Sequence, residues 1–106
     1  MLREISAPEL SQRLNAGEAL FLLDVREPWE FERAQIAGST LVPMNQIVAR
    51  LAELDPRRET VVVCHHGQRS FQVGLFLARS GFSNVVNLRG GVDAWSQQVD
   101  LQLPRY

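Results

Sequence analysis

The stretch VVVCHHGQRS, residues 61–70, decides the fold. Thr60, Val61, Val62 and Val63 form a β-branched run without polar alternation, the pattern of a strand buried on both faces at the centre of a sheet. The run ends at Cys64, the chain's single cysteine. His65, His66, Gly67, Gln68, Arg69 and Ser70 follow as a polar turn. A helix is expected to begin near Ser70, with Phe71, Val73, Gly74, Leu75, Phe76, Leu77 and Ala78 largely buried, only Gln72 and Arg79 facing water, and Gly81 as the stop. Strand, tight turn and helix together are one crossover of a parallel sheet.

The same alternation extends outward in both directions. ALFLLDV, residues 19–25, is a second continuous apolar run of strand length, and polar chemistry starts at its end with Asp24 and Arg26. EPWEFERA, residues 27–34, reads as a short helix opened by Pro28, followed by a loop at 35–39 and a short strand at 40–43. Asn45 is placed to cap a further helix whose stripe is Ile47, Val48, Leu51 and Leu54, ended by Asp55 and Pro56. Near the N-terminus, Ser6 and Glu9 have capping-box spacing, Leu10 and Leu14 share a face, and Gly17 closes the helix. NVVNL, residues 84–88, is one more strand, and GGVDAWSQQV, residues 90–99, starts a last helix; the tail from 99 to 106 has no periodicity to read. The sum predicts an α/β fold, a central, mostly parallel sheet flanked by helices on both faces, as one domain over residues 1–106. Ligands of such sheets bind beyond the carboxyl ends of the strands, where Cys64 and the 24–26 segment both fall.

Composition narrows the function classes. Eleven basic and twelve acidic residues give a net charge of −1 with no like-charge block, so no nucleic-acid footprint is expected. No stretch has a signal core or a membrane-spanning length, and a cytoplasmic location without membrane partners is the expectation. A lone cysteine forms no internal disulfide and is either an inert buried hydrophobe or a reactive thiol. The turn after Cys64 favours the second reading. Its backbone N–H groups can point inward as an anion nest, and the helix N-terminus and Arg69 add positive charge that favours a thiolate.

Spacing selects the electrophile. Cysteine phosphatases use Cys-x5-Arg, a ring wide enough for phosphate, whereas Cys64 and Arg69 are spaced Cys-x4-Arg. The smaller ring suits a single added sulfur, a persulfide. At this point the chain resembles the single-domain rhodanese-like sulfurtransferases. LLDVREPWEF at 22–31, CHHGQRS at 64–70 and GFSNVVNLRGGVDAW at 81–95 match that family's landmarks in order and spacing. One departure is Gln35, Ile36, Ala37 and Gly38, where the family often has His-Ile-Pro-Gly. The resemblance implies a rhodanese-like fold, Cys64 as nucleophile, and an active-site loop of His65, His66, Gly67, Gln68 and Arg69. It further implies two-step transfer of a sulfane sulfur from a donor such as thiosulfate to cyanide or a thiol, or to a sulfur-relay protein, with no metal or organic cofactor. A cysteine phosphatase or arsenate reductase, and a non-catalytic binding module of the same shape, are the competing readings.

Around this centre, Arg69 is expected to touch substrate, since a guanidinium presents a fork of donors to oxyanions. Ser70 is expected to act as a cap that steadies the loop, with Asp24 and Arg26 supporting the loop from the neighbouring strand end. Trp29, Phe31 and Trp95 read as core, Gly90 and Gly91 as a close-packed turn, and Arg89 as solvated surface. His65 and His66 are not expected to hold a metal, because adjacent side chains on a tight turn diverge and no second ligand cluster follows.

Overall fold

The structure is a computed structural model describing residues 2–106. Five strands, β1 (Arg3–Ile5), β2 (Phe21–Asp24), β3 (Thr40–Leu41), β4 (Thr60–Val63) and β5 (Val85–Leu88), form one sheet in the order β1-β5-β4-β2-β3. Every pairing is parallel, so the sheet is wholly rather than mostly parallel. The helices are α1 (Ala7–Asn15), α2 (Pro28–Arg33), α3 (Gln68–Arg79) and α4 (Gly91–Gln98).

Strand β4 lies third of five, and all four of its residues are buried, as its unalternating run requires. Its side chains divide the core in two. Val61 and Val63 join Leu22, Val86 and Leu88 beneath Leu10 of α1 and Val92 and Trp95 of α4. Val62 and Cys64 join Leu23 and Val25 beneath Val73 and Leu77 of α3. The sheet is therefore covered on both faces, and Cys64 belongs to the α3 side.

Local signals explain most boundaries. Ser6 Oγ accepts the Glu9 N–H at 3.2 Å, and the Glu9 carboxylate reaches back to the Ser6 N–H, so the capping box that opens α1 is present. Pro28 opens α2. Helix α3 starts two residues before Ser70, at Gln68, with Gly67 as its N-cap, and Ala78 is exposed.

Three features differ from the sequence expectation. The helix placed after Asn45 is instead two 3-10 turns, Met44–Gln46 and Leu51–Glu53. The Met44 N–H is tied to Val25 O at 2.9 Å, and Val48 is 72% exposed, so the apolar residues of this stretch do not share one helical face. Strand β1 went unread because three residues with only Ile5 buried carry no hydrophobic run; pairing with β5 alone makes them a strand. Of the aromatic residues read as core, Trp95 is 8% exposed but Trp29 is 58% exposed.

Candidate active site

In the register of the sheet Asp24 lies opposite Val63, so the ends of β2 and β4 come together, with Cys64 and Arg26 just beyond. The Cys64 side chain is almost wholly buried. Its sulfur receives the Gly67 N–H at 3.1 Å and lies 3.2 Å from Ser70 Oγ. Gly67 takes φ +98°, and a Cβ there would stand 3.1 Å from the Gly90 nitrogen, so conformation and space both call for glycine.

Helix α4 holds the loop's backbone. The Val92 and Asp93 N–H groups, free because they lie in the first turn, donate to Cys64 O and His65 O, both at 2.9 Å. A trans peptide sets its N–H opposite its C=O, so these bonds turn the His65 and His66 amides away from α4. Gly91 permits the approach: φ is +59°, and a Cβ would meet Cys64 O at 2.3 Å and His65 O at 2.5 Å. The glycine pair serves this close packing.

Ser70 does not cap the helix. Its hydroxyl sits between Cys64 Sγ and Asn87 Oδ1. Asn87, wholly buried in β5, donates through Nδ2 to Glu4 Oε2 at 2.8 Å and Gly67 O at 3.1 Å. Those two acceptors fix the amide so that its oxygen faces Ser70, which therefore donates to Asn87 and turns a lone pair to the sulfur. Sequence reading missed Asn87; a polar residue inside the β-branched VVNL strand was the available signal.

Beside the loop lies a second network. Arg26 and Asp24 form a fully buried pair, Nη2 to Oδ2 at 2.7 Å. Arg69 makes a two-pronged ion pair with Glu30 of α2, Nη1 to Oε1 at 2.7 Å and Nη2 to Oε2 at 2.9 Å. The expected open oxyanion fork of Arg69 is thus engaged by a carboxylate. Burial alone would raise the Glu30 carboxyl, but Arg69, the Glu27 N–H and Tyr106 hold it down at about 2. Tyr106, from the unread tail, hydrogen-bonds Glu30 Oε2 at 3.1 Å and accepts from Arg26 Nη1. Burial and the Glu30 charge push its hydroxyl up to about 12 against the pull of Arg26, so it stays protonated at neutral pH.

The Tyr106 ring stacks on His65 at 3.9 Å, and His65 stacks on His66 at 4.0 Å and 27°. The histidines therefore do not diverge as expected, and with Asp93 they form a group whose ligand atoms lie within 4.8 Å of one another. Stacked rings, however, send their in-plane lone pairs side by side and not to a common point. Burial, then the neighbouring His66, lowers the pKa of His65, favouring the neutral ring. Gln68 and Arg89 are exposed and, with Glu4, His66 and Gly67, line an open cleft next to the loop.

The family model for the rhodanese-like domain matches residues 6–98. The chain belongs to the rhodanese-like family. A protein named sulfurtransferase from Allochromatium vinosum is 38% identical over 97 residues, 92% of this chain and 91% of its own length. The thiosulfate sulfurtransferase GlpE of Pseudomonas syringae is 36% identical over 88 residues, covering 83% of this chain and 82% of that one. Other relatives are longer: the chain spans 52% of the putative sulfur carrier protein YrkF of Bacillus subtilis. Among solved structures, a rhodanese-related protein from Thermoplasma volcanium superposes with a TM-score of 0.83 at 32% identity, over 92% of this rhodanese-like domain and 93% of its own chain. These relationships agree with the parallel sheet, and no helix among the described residues is long and apolar enough to cross a membrane.

Proposed function

We propose that the protein is a sulfurtransferase that carries a sulfane sulfur as a persulfide on Cys64, taking it from a donor such as thiosulfate and passing it to cyanide or a thiol. The observation that carries this reading is the lone cysteine at the end of the central strand, its sulfur held by the Gly67 N–H within a loop anchored on α4. With thiosulfate, the Cys64 thiolate attacks the outer sulfur, the S–S bond of the donor breaks, and sulfite leaves with the bonding pair. The product is the anion Cys64–S–S⁻. Cyanide then attacks the outer sulfur and leaves as thiocyanate, which returns the Cys64 thiolate. The chain's own groups suffice for both steps, which are exchanges at sulfur without net oxidation.

The site around the thiol divides into a backbone cradle and a rim. Gly67 and the amides turned away from α4 offer donors to the outer sulfur, while His65, His66 and Gln68 form the mouth an acceptor must pass. Support also comes from relatives named sulfurtransferase, and a further relative, named putative sulfur carrier protein, points to a protein as one exchange partner. Steady-state assay of sulfite release and thiocyanate formation tests the reading. Wild type should turn over, and Cys64→Ser, close in size but without the nucleophile, should fall to background. Turnover retained by Cys64→Ser would end the proposal.

A further inference from the structure

The network on the α2 side bears on which donor the site is built for, and the inference rests on the sulfurtransferase reading above. Two guanidiniums belong to this network, and each is paired with a carboxylate, Arg26 with Asp24 and Arg69 with Glu30. Arg26 is wholly buried, and its five N–H donors all have partners: Nε goes to Asp24, Nη1 to Glu30 O and Tyr106 Oη, and Nη2 to Asp24 and Ala34 O. It has no hydrogen bond left for a ligand. Arg69 turns its end-on fork onto Glu30, which occupies two of its five N–H donors and neutralises its charge.

Glu30 is equally committed. Oε1 accepts from Arg69 and from the Glu27 N–H at 3.0 Å, and Oε2 accepts from Arg69 and from the Tyr106 hydroxyl. Four donors fill the four lone-pair sites of the carboxylate, which is 4% exposed. A carboxylate so fixed does not swing aside to free the arginine, and its charge cancels that of Arg69. Thiosulfate would bring two negative charges to a thiolate while the charge of half-buried Arg69 is already neutralised by Glu30. The mouth itself is aromatic: Trp29 packs edge-on against Tyr106, Tyr106 stacks on His65, and His65 on His66.

We propose that Glu30, clamped by Tyr106, is a specificity residue that neutralises Arg69 and occupies its end-on fork, and so favours an organic persulfide, R–S–SH, over thiosulfate as sulfur donor. In that exchange the Cys64 thiolate attacks the terminal sulfur, the donor S–S bond breaks, R–S⁻ leaves with the bonding pair, and Cys64–S–SH forms. Charge on the leaving group is one unit in place of two, and R meets the aromatic rings.

The test is the rate at which Cys64 gains one sulfur, followed by quenched intact mass, with thiosulfate and with cysteine persulfide as probes. It compares wild type, Glu30→Gln and Tyr106→Phe. Removing the Glu30 charge should raise the thiosulfate rate relative to the persulfide rate by about tenfold. Tyr106→Phe removes one of four donors, keeps the ring stack, and should raise the same ratio by about two- to threefold. If Glu30→Gln does not fold, Tyr106→Phe decides alone. An unchanged or lower ratio in the folded variants would overturn the specificity role while leaving the sulfurtransferase reading in place. Absence of sulfur gain from either donor in wild type would overturn that reading itself, and this inference with it.

Discussion

At Cys64 the sulfur meets two groups of different kinds, an amide that can only donate and a hydroxyl whose one proton is already directed to Asn87 Oδ1. Asn87 thereby sets the hydroxyl's orientation without touching the sulfur. Asn87→Leu would leave Gly67 O and Ser70 Oγ without their buried partner. Chemical denaturation should show a loss of about 2 kcal/mol, the usual cost of unsatisfied buried polar groups. A variant as stable as wild type would mean that the network relaxes around the change. Position 64 was legible because a cysteine ending an apolar strand before a glycine-bearing polar turn is unusual for mere packing. Ser70 was legible as important but not in its role, since a helix that starts at Gln68 leaves no cap to make at position 70.

Helix α4 shows how one element shapes another's chemistry. Its first-turn N–H groups hold the carbonyls of Cys64 and His65, and that contact exists only because residue 91 lacks a side chain. Gly91→Ala would force a Cβ into backbone oxygen at 2.3 Å and strain a positive φ, with no flexible side chain to yield. The expected loss is about 3 kcal/mol or more in thermal or chemical unfolding, together with slower sulfur loading by whatever protein remains folded. Loading at the wild-type rate would show that α4 does not organise the loop. The sequence pointed to a close-packed glycine turn here, though not to its partner, because the turn and the loop are far apart in the chain. The stretch after Asn45 shows the opposite failure: apolar spacing resembled a helix, but the backbone is pinned at Met44 to the end of β2 and Val48 faces out.

For the molecule as a whole, the Arg69–Glu30–Tyr106–Arg26 network ties α2, the loop, β2's end and the tail into one unit, and it makes acid stability a readout of the site. The Glu30 carboxyl is lowered from 4.5 to about 2 on folding, so its contribution is complete above about pH 4.5 and is lost as the pH falls toward about 2. For a group so buried this amounts to about 3 kcal/mol. Glu59, lowered chiefly by its hydrogen bonds with Arg13, contributes in the same direction at a distance from the site. Urea unfolding at about pH 6 and about pH 3 should therefore show a smaller acid loss in Glu30→Gln than in wild type, with part of the loss remaining. Equal losses would assign acid sensitivity elsewhere. None of this network beyond the Asp24 and Arg26 pair was legible in the sequence. Tyr106 meets Arg26 across eighty positions and lies in a segment without periodicity, and only the fold brings them together.

The central claim is that Cys64 carries the transferred sulfur, and intact-mass measurement of wild type and Cys64→Ser after exposure to a sulfur donor tests it most directly. The account predicts a gain of one sulfur atom in wild type, located to Cys64 and reversed by cyanide, and no gain in Cys64→Ser. An equal gain in both proteins, or none in wild type with either thiosulfate or cysteine persulfide, would contradict it.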